Sequence, residues 1–284
     1  MKPRTIIVNA DDLGLSPSVN TAIFNVFKAG NLSSATLMVN MPGTQDAVDR
    51  LPQHAGLAVG LHFCITEGFA LSGPSALTDE QGRFRDRGTL FRMVLKGRIP
   101  ASAIQREFEA QWDRAVALGV VPDHLDSHQH TLMIPQVLDA VLEQIHQRKL
   151  PTRIVHPPLR TITSDLSRPA RALKQVLNRS FAWYAHHRLK VPVNTALVSV
   201  HDLESAGPYD ARTFAELMAR ADDDAVLEVM VHPYILGADV LGIYADVMDT
   251  KGPFLQRCQA EYQALMLPGV FAGCTLGTFH AIGR

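Results

Sequence analysis

The stretch at residues 5–15, TIIVNADDLGL, limits what this chain can fold into more than any other. The β-branched run Thr5, Ile6, Ile7 and Val8 reads as a buried strand that stops at two adjacent carboxylates and a glycine. Ser16 and Pro17 then suit a helix N-cap and first helical position, which puts Asp11 and Asp12 in a tight turn between strand and helix. In α/β proteins that edge is where ligands bind. Neighbouring side chains of an extended segment diverge, so the two acids should do different work, one holding a cation and the other a proton. The plainer reading is a turn in which one acid caps the next helix.

The same strand-then-helix unit recurs along the chain. Val19, Ile23, Val26 and Phe27 fall at helical spacing up to Ala29, with Gly30 as the stop. Further strands are expected at 34–40, 57–63, 124–128, 152–156, 194–200, 225–231 and 270–276, with helices at 44–51, 101–118, 135–147, 211–220 and 254–265 between them. Eight strands alternating with helices predict one TIM-barrel-like (β/α) barrel over residues 1–284, and a seven-stranded, incomplete or distorted barrel fits equally well. The length of 284 residues and a hydrophobic fraction of 46% suit such a domain.

Two segments depart from the pattern. Residues 64–121 contain no convincing core strand and are broken by Gly68, Gly73, Pro74, Gly82 and Gly88, as expected for a lid or substrate wall inserted at the active edge. This insertion carries Arg83, Arg85, Arg87, Arg92, Lys96 and Arg98 against Asp86. Residues 148–190 are also basic, with Arg160, Arg168, Arg171, Lys174, Arg179 and Arg188 against Asp165, and read as a surface helical pair. Either run is a solvated face or a contact for an anionic substrate or membrane surface.

A net charge of −1 argues against a general nucleic-acid binder. Cys64, Cys258 and Cys274 are odd in number, far apart and set in apolar surroundings, which points to reduced thiols. With no signal-like apolar core at the start and no apolar span of about 20 residues, a cytoplasmic location is expected. Oligomeric state is left open, a homo-oligomer included.

Polar residues gather at one end of the predicted barrel: Asp11 and Asp12 after strand one, His62 on strand three, Asp126, His128 and His130 after strand four, and His232 after strand seven. C-terminal strand ends converge in such a barrel, so these distant positions can meet. One carboxylate with two imidazoles suits zinc or another divalent ion, magnesium included, with positions open to water and substrate. His128 is assigned to the metal and His130 to a supporting role, with Asp126 anchoring a ligand histidine from behind.

The motifs NADDLG at 9–14, GLH at 60–62, HLDSHQH at 124–130 and EVMVHP at 228–233 resemble, in this order, the YdjC-like carbohydrate deacetylases, which include the chitooligosaccharide deacetylases. A subgroup associated with hopanoid biosynthesis is also similar, particularly through GLSPSVN at 14–20. The resemblance implies a metal-dependent amide hydrolase that removes acetyl from an N-acetylated amino sugar. It also implies that Asp12, His62 and His128 hold the metal, that Asp11 is the base, and that the His232 region supplies a proton donor. Arg153 is a candidate for orienting or charge-balancing the base, although its spacing to Pro157 fits the family poorly. Leu13, Gln129 and Tyr234 depart from the commoner residues of the family, which bears on substrate rather than chemistry.

Two rival functions stand beside this one: another metal-dependent hydrolysis such as phosphoester cleavage, and a non-catalytic sugar- or lipid-binding module. Phe63, Phe69, Phe84, Phe91 and the apolar run 234–248 either belong to the core or line a site for a lipid-linked amino sugar, and the core reading is preferred.

Overall fold

The strand at the centre of the fold is β1 (Arg4–Leu13), fully buried from Ile6 onward because it is flanked on both edges and covered on both faces. A computed structural model describes residues 4–160 and 169–281 of the chain, with side chains omitted at 169–171. One edge of β1 pairs in parallel with β6 (Leu227–Val231). The other is shared: β7 (Cys274–Gly277) lies beside residues 4–7, and β2 (Ser34–Leu37) beside residues 9–13. From β2 the sheet continues through β3 (Ala58–Phe63) to β4 (Leu125–Ser127), and from β6 to β5 (Ala196–Val198). All pairings between strands are parallel, and the long runs of buried Ile, Val, Leu and Ala on them are what a sheet covered on both faces requires.

The expected fifth strand, at 152–156, is not formed as one. Thr152 makes single parallel bridges to Leu125 and to Val193, and these join the β4 and β5 ends of the sheet into a distorted (β/α) barrel. Pro151, Pro157 and Pro158 flank the segment and cannot donate to a ladder. The Asn194 side chain takes the place of a neighbouring strand, accepting from the Ile154 amide at 2.6 Å and donating to its carbonyl at 2.9 Å. Seven strands are therefore described instead of eight.

Helices between the strands follow the predicted pattern. In α1 (Pro17–Lys28) the Ser16 side chain accepts from the Val19 amide, and Pro17 occupies the first helical position. α2 (Thr44–Arg50) follows β2, and α5 (Pro135–Arg148) follows β4. α6 (Pro169–Arg188) stands in the basic stretch; Asp165 and Arg168, and the side chain of Arg171, lie outside the described residues, so the predicted helical pair is seen as one helix. α7 (Ala211–Met218) starts on an Asp210–Thr213 capping box, and α8 (Ala238–Ile243) and α9 (Met248–Leu265) complete the chain before β7.

Residues 64–121 leave the barrel and return through α3 (Arg87–Leu95) and α4 (Ala101–Ala117). Two fully buried polar side chains of α4 pin the excursion down. Glu107 accepts from the Leu71 and Ser72 amides, and Gln111 exchanges hydrogen bonds with both backbone groups of Cys64. All three cysteines are free, Cys64 and Cys258 being buried.

Gly14 closes the first unit at a φ of +90°, where a Cβ would stand 2.5 Å from the Met38 carbonyl oxygen. Gly14→Ala is therefore expected to destabilise the fold by about 1–3 kcal/mol from backbone strain alone, with the clash adding to it. Denaturant unfolding of the two proteins checks this.

Candidate functional site

The site begins with an irregularity in β1. Between Ala10 and Leu13 the strand advances three residues while β2 advances two, from Ala35 to Leu37, and Asp12 takes a φ of +66°. A regular strand would send Asp11 and Asp12 to opposite faces; the bulge turns both into the mouth of the barrel, where both are buried. The acids thus lie at the end of the strand itself and not in a following turn, because Leu13 is still paired with Leu37.

Asp12 faces the imidazoles. His62, near the end of β3, places Nε2 3.2 Å from Asp12 Oδ1, and His128, immediately after β4, places Nδ1 2.9 Å from the same oxygen. The Tyr234 hydroxyl donates to Asp12 Oδ2 at 2.5 Å. Direct pairing of His62 with Asp126 across β3 and β4 sets the Asp126 carboxylate 2.6 Å from His62 Nδ1, and Thr36 on β2 donates to Asp126 at 3.0 Å. His128 Nε2 is buried without a partner.

Asp11 faces Arg153, which follows the Thr152 bridge. The guanidinium donates two bonds to Asp11, at 2.7 and 2.6 Å, and also reaches Asp126 at 2.6 Å and Glu228 of β6 at 2.5 Å. One buried cation thus serves three buried carboxyls. His232, one residue beyond β6, lies with Nε2 3.7 Å from Asp11 Oδ2, and its amide donates to Glu261 of α9 at 2.7 Å.

These environments divide the two aspartates electrostatically. Burial works to raise the Asp11 carboxyl, but Arg153 and then His62 outweigh it and hold it well below the usual carboxylate range. For Asp12 burial is likewise outweighed, by His128 and His62. Burial works to lower His62, yet Asp126 and Asp12 raise it to about 10. Glu228 is pushed up to about 7 and Glu261 to about 8, in both cases chiefly by burial. Burial lowers His232 below the ordinary imidazole value and His130 to about 3.

Among the described residues three groups bring metal-ligating atoms within 4.8 Å of one another: Asp12, His62 and His128; Asp11, His62 and Asp126; and His201, His232 and Glu261. The first pairs a carboxylate kept ionised with two imidazoles, one holding an unpartnered buried nitrogen, which is the donor chemistry a divalent ion needs. The second is already occupied by the Arg153 guanidinium. In the third, a glutamic acid raised to about 8 keeps its own proton near neutral pH.

His130 does not join these groups. Gln129 and His130 both adopt left-handed conformations, with φ of 52° and 58°, and His130 instead lines a groove of about 540 Å³ beside the site. His124 of the HLDSHQH motif is structural, paired with Asp123, stacked on Phe279 and packed against Gly60.

Glu228, His201 and Glu261 were given no part in the site by sequence reasoning, and Tyr234 was weighed only as core or as a lining residue of a substrate site. Signals exist for the two acids: Glu228 interrupts an apolar strand, and Glu261 lies on the same helical face as Cys258 and Leu265.

The fold and site thus define a parallel (β/α) barrel protein with a buried carboxylate–imidazole cluster at its C-terminal mouth, whose donors could hold a divalent ion. The sequence profile of the YdjC-like proteins matches residues 5–274, and the chain belongs to that family. It is 35% identical to a carbohydrate deacetylase of Geobacillus stearothermophilus over 81% of this chain and 80% of that one. It is 32% identical to a chitooligosaccharide deacetylase of Serratia marcescens, over 84% and 85% respectively. In fold it resembles a crystal structure from Enterococcus faecalis V583 named for cellobiose-phosphate cleavage, with a TM-score of 0.71, 19% identity and 99% of both chains covered.

Because Glu261 has its pKa raised from 4.5 to about 8 in the folded protein, its contribution to stability is present in full below pH 4.5 and is lost as pH rises through 8. Glu228, raised to about 7, acts in the same direction. The thermal midpoint of chelator-treated protein should therefore fall between about pH 5 and 9, and Glu261→Gln should make that fall shallower. Calorimetric scans across this range check both.

Proposed function

We propose that the protein removes the acetyl group from an N-acetylated amino sugar by metal-assisted hydrolysis, releasing acetate. The observation that carries this reading is the split between two adjacent aspartates: Asp12 turned to His62 and His128, Asp11 turned to Arg153 and His232. The names of its relatives from Geobacillus and Serratia support the amide as the bond broken.

In this reading Asp12, His62 and His128 hold one divalent ion, zinc by donor type or magnesium, which when bound acidifies water and polarises the amide carbonyl. Asp126 fixes the His62 tautomer through Nδ1, leaving Nε2 directed at Asp12. Asp11, kept ionised by Arg153, accepts the proton of the attacking water. His232 faces Asp11 from the other side of the site and protonates the departing sugar nitrogen; burial, by lowering its pKa, makes its charged form a strong acid. His130 stands beside them on the groove wall as a substrate contact.

The groove favours a substrate with an apolar part next to its sugar. His130, His201 and Met230 line the groove beside the site, and Phe91, Leu173, Leu177 and Phe181 line it with them. Phe91 is thus a groove residue, whereas Phe63 and Phe84 are buried in the core, Tyr234 is buried with its hydroxyl on Asp12, and Phe69 is exposed. A lipid-linked glycoside fits this wall better than a soluble oligosaccharide, whose hydroxyls would lose water without finding partners.

Asp11→Asn should lower kcat by roughly 10³-fold or more while bound metal, measured by elemental analysis, stays near the wild-type level. Asp12→Ala and His62→Ala should lose metal and activity together. Acetate and phosphate release are measured in parallel on N-acetylglucosamine-bearing lipids and on phosphoesters: full activity in Asp11→Asn would overturn the base assignment, and phosphate release without acetate would overturn the reaction.

A further inference from the structure

The outer helix α6 is amphipathic in the reverse of the usual sense. Its inward positions carry Gln175, Ala182 and Ala185, and Gln175 is only 4% exposed. Its large apolar side chains face out: Leu173 is 59% exposed, Val176 48%, Leu177 46% and Trp183 64%. These positions follow the i, i+3, i+4 rhythm of one helical stripe. A helix against a water-facing barrel would bury such a stripe and expose its polar positions, so the stripe is built for a second apolar phase.

The neighbouring helix continues the surface. α3 buries Leu90 and Val94 and turns Phe91 and Leu95 outward, Leu95 being 60% exposed. The two helices form opposite walls of one groove, through Arg87, Gly88 and Phe91 on one side and Leu173, Lys174 and Leu177 on the other. Phe91, Leu173 and Leu177 lie on this groove, while Val176 and Trp183 of α6 line a second groove of about 710 Å³ together with Leu159 and Arg179.

Charge identifies what covers this surface. Residues 87–98 contain Arg87, Arg92, Lys96 and Arg98 and no acid, and residues 169–190 contain Arg171, Lys174, Arg179, Arg188 and Lys190 and no acid. The chain as a whole has a net charge of −1, so these runs are local excesses of positive charge and not a reflection of a basic protein; within them Arg188 is paired with Asp139 of α5. Exposed leucines and a tryptophan on helices that also carry lysine and arginine match an interface of anionic headgroups over acyl chains. Among the described residues no helix is long and apolar enough to cross a membrane, so the contact is with a surface.

We propose that the outer faces of α3 and α6 form a docking surface for an anionic lipid bilayer, seating Leu95, Leu173, Leu177 and Trp183 among the acyl chains and the surrounding cations on the headgroups. The groove mouth then opens onto the bilayer. This placement rests on the surface alone and not on the deacetylase reading, since binding is measured without substrate.

The full chain is mixed with phosphatidylcholine vesicles, with and without about one third phosphatidylglycerol, at roughly 20 mM and 500 mM salt, where screening is weak and strong respectively. Sedimentation with the anionic vesicles is expected at low salt and should fall at least tenfold at high salt or on neutral vesicles. In Trp112→Phe, which leaves Trp183 as the sole tryptophan, emission should shift to the blue on binding and be quenched by brominated acyl chains. Leu95→Glu combined with Trp183→Glu should reduce vesicle binding at least tenfold with an unchanged thermal midpoint. Absence of sedimentation at low salt, binding insensitive to the double variant, or a dimer by light scattering that already buries Trp183 without vesicles would each overturn the proposal. Acetate release is assayed separately, so a protein that binds vesicles but releases none refutes the deacetylase reading and leaves the docking surface standing.

Discussion

The buried guanidinium of Arg153 is the interaction on which the rest of the site depends. Asp11, Asp126 and Glu228 come from three different strands, and all three are removed from water. Without a cation among them their mutual repulsion and lost hydration would strongly disfavour keeping all three ionised. Arg153 meets the need because a planar fork can engage several carboxylates at once, which a lysine ammonium does less well. It also ties the weakest part of the barrel wall, where a single bridge replaces a strand, to the strongest part at β1.

The site's two halves follow from that arrangement. Arg153 occupies the Asp11 side with fixed positive charge, so Asp11 stays ionised with both its carboxylate oxygens engaged by the guanidinium. On the Asp12 side positive charge is supplied only by imidazoles, which exchange a proton for a divalent ion readily. The bulge at Asp12 is what permits adjacent residues to reach these two environments in one cavity. Strain at a φ of +66° is tolerated there because Tyr234, His62 and His128 all hold the carboxylate.

Around this centre the insertion and α6 do a different kind of work. The insertion is held by the buried Glu107 and Gln111, and α6 by Tyr184 and Arg188 on Asp139 of α5 and by Arg179 on the Pro157 carbonyl. The groove between them runs beside the site, and its lining includes His201, whose ring packs against His232.

Much of this was legible in the residues alone. Strand and helix order followed from β-branched runs and from caps such as Ser16–Pro17 and Asp210, because these are local signals whose physics lies within a few residues. The convergence of Asp11, Asp12, His62, His128 and His232 was legible too, since strand ends in a parallel barrel must meet. Only the tertiary structure decided the rest. Thr152 forms a bridge and not a strand because a distant Asn194 competes for its neighbour's backbone groups. Arg153 reaches three carboxylates 27 to 142 residues away in sequence, and Glu261 meets His232 across a helix–strand contact that no periodicity encodes. Whether Leu173 and Trp183 were core or surface likewise depended on which side of α6 the barrel occupies. Periodicity defines a helix's stripe, but only packing decides which way the stripe faces.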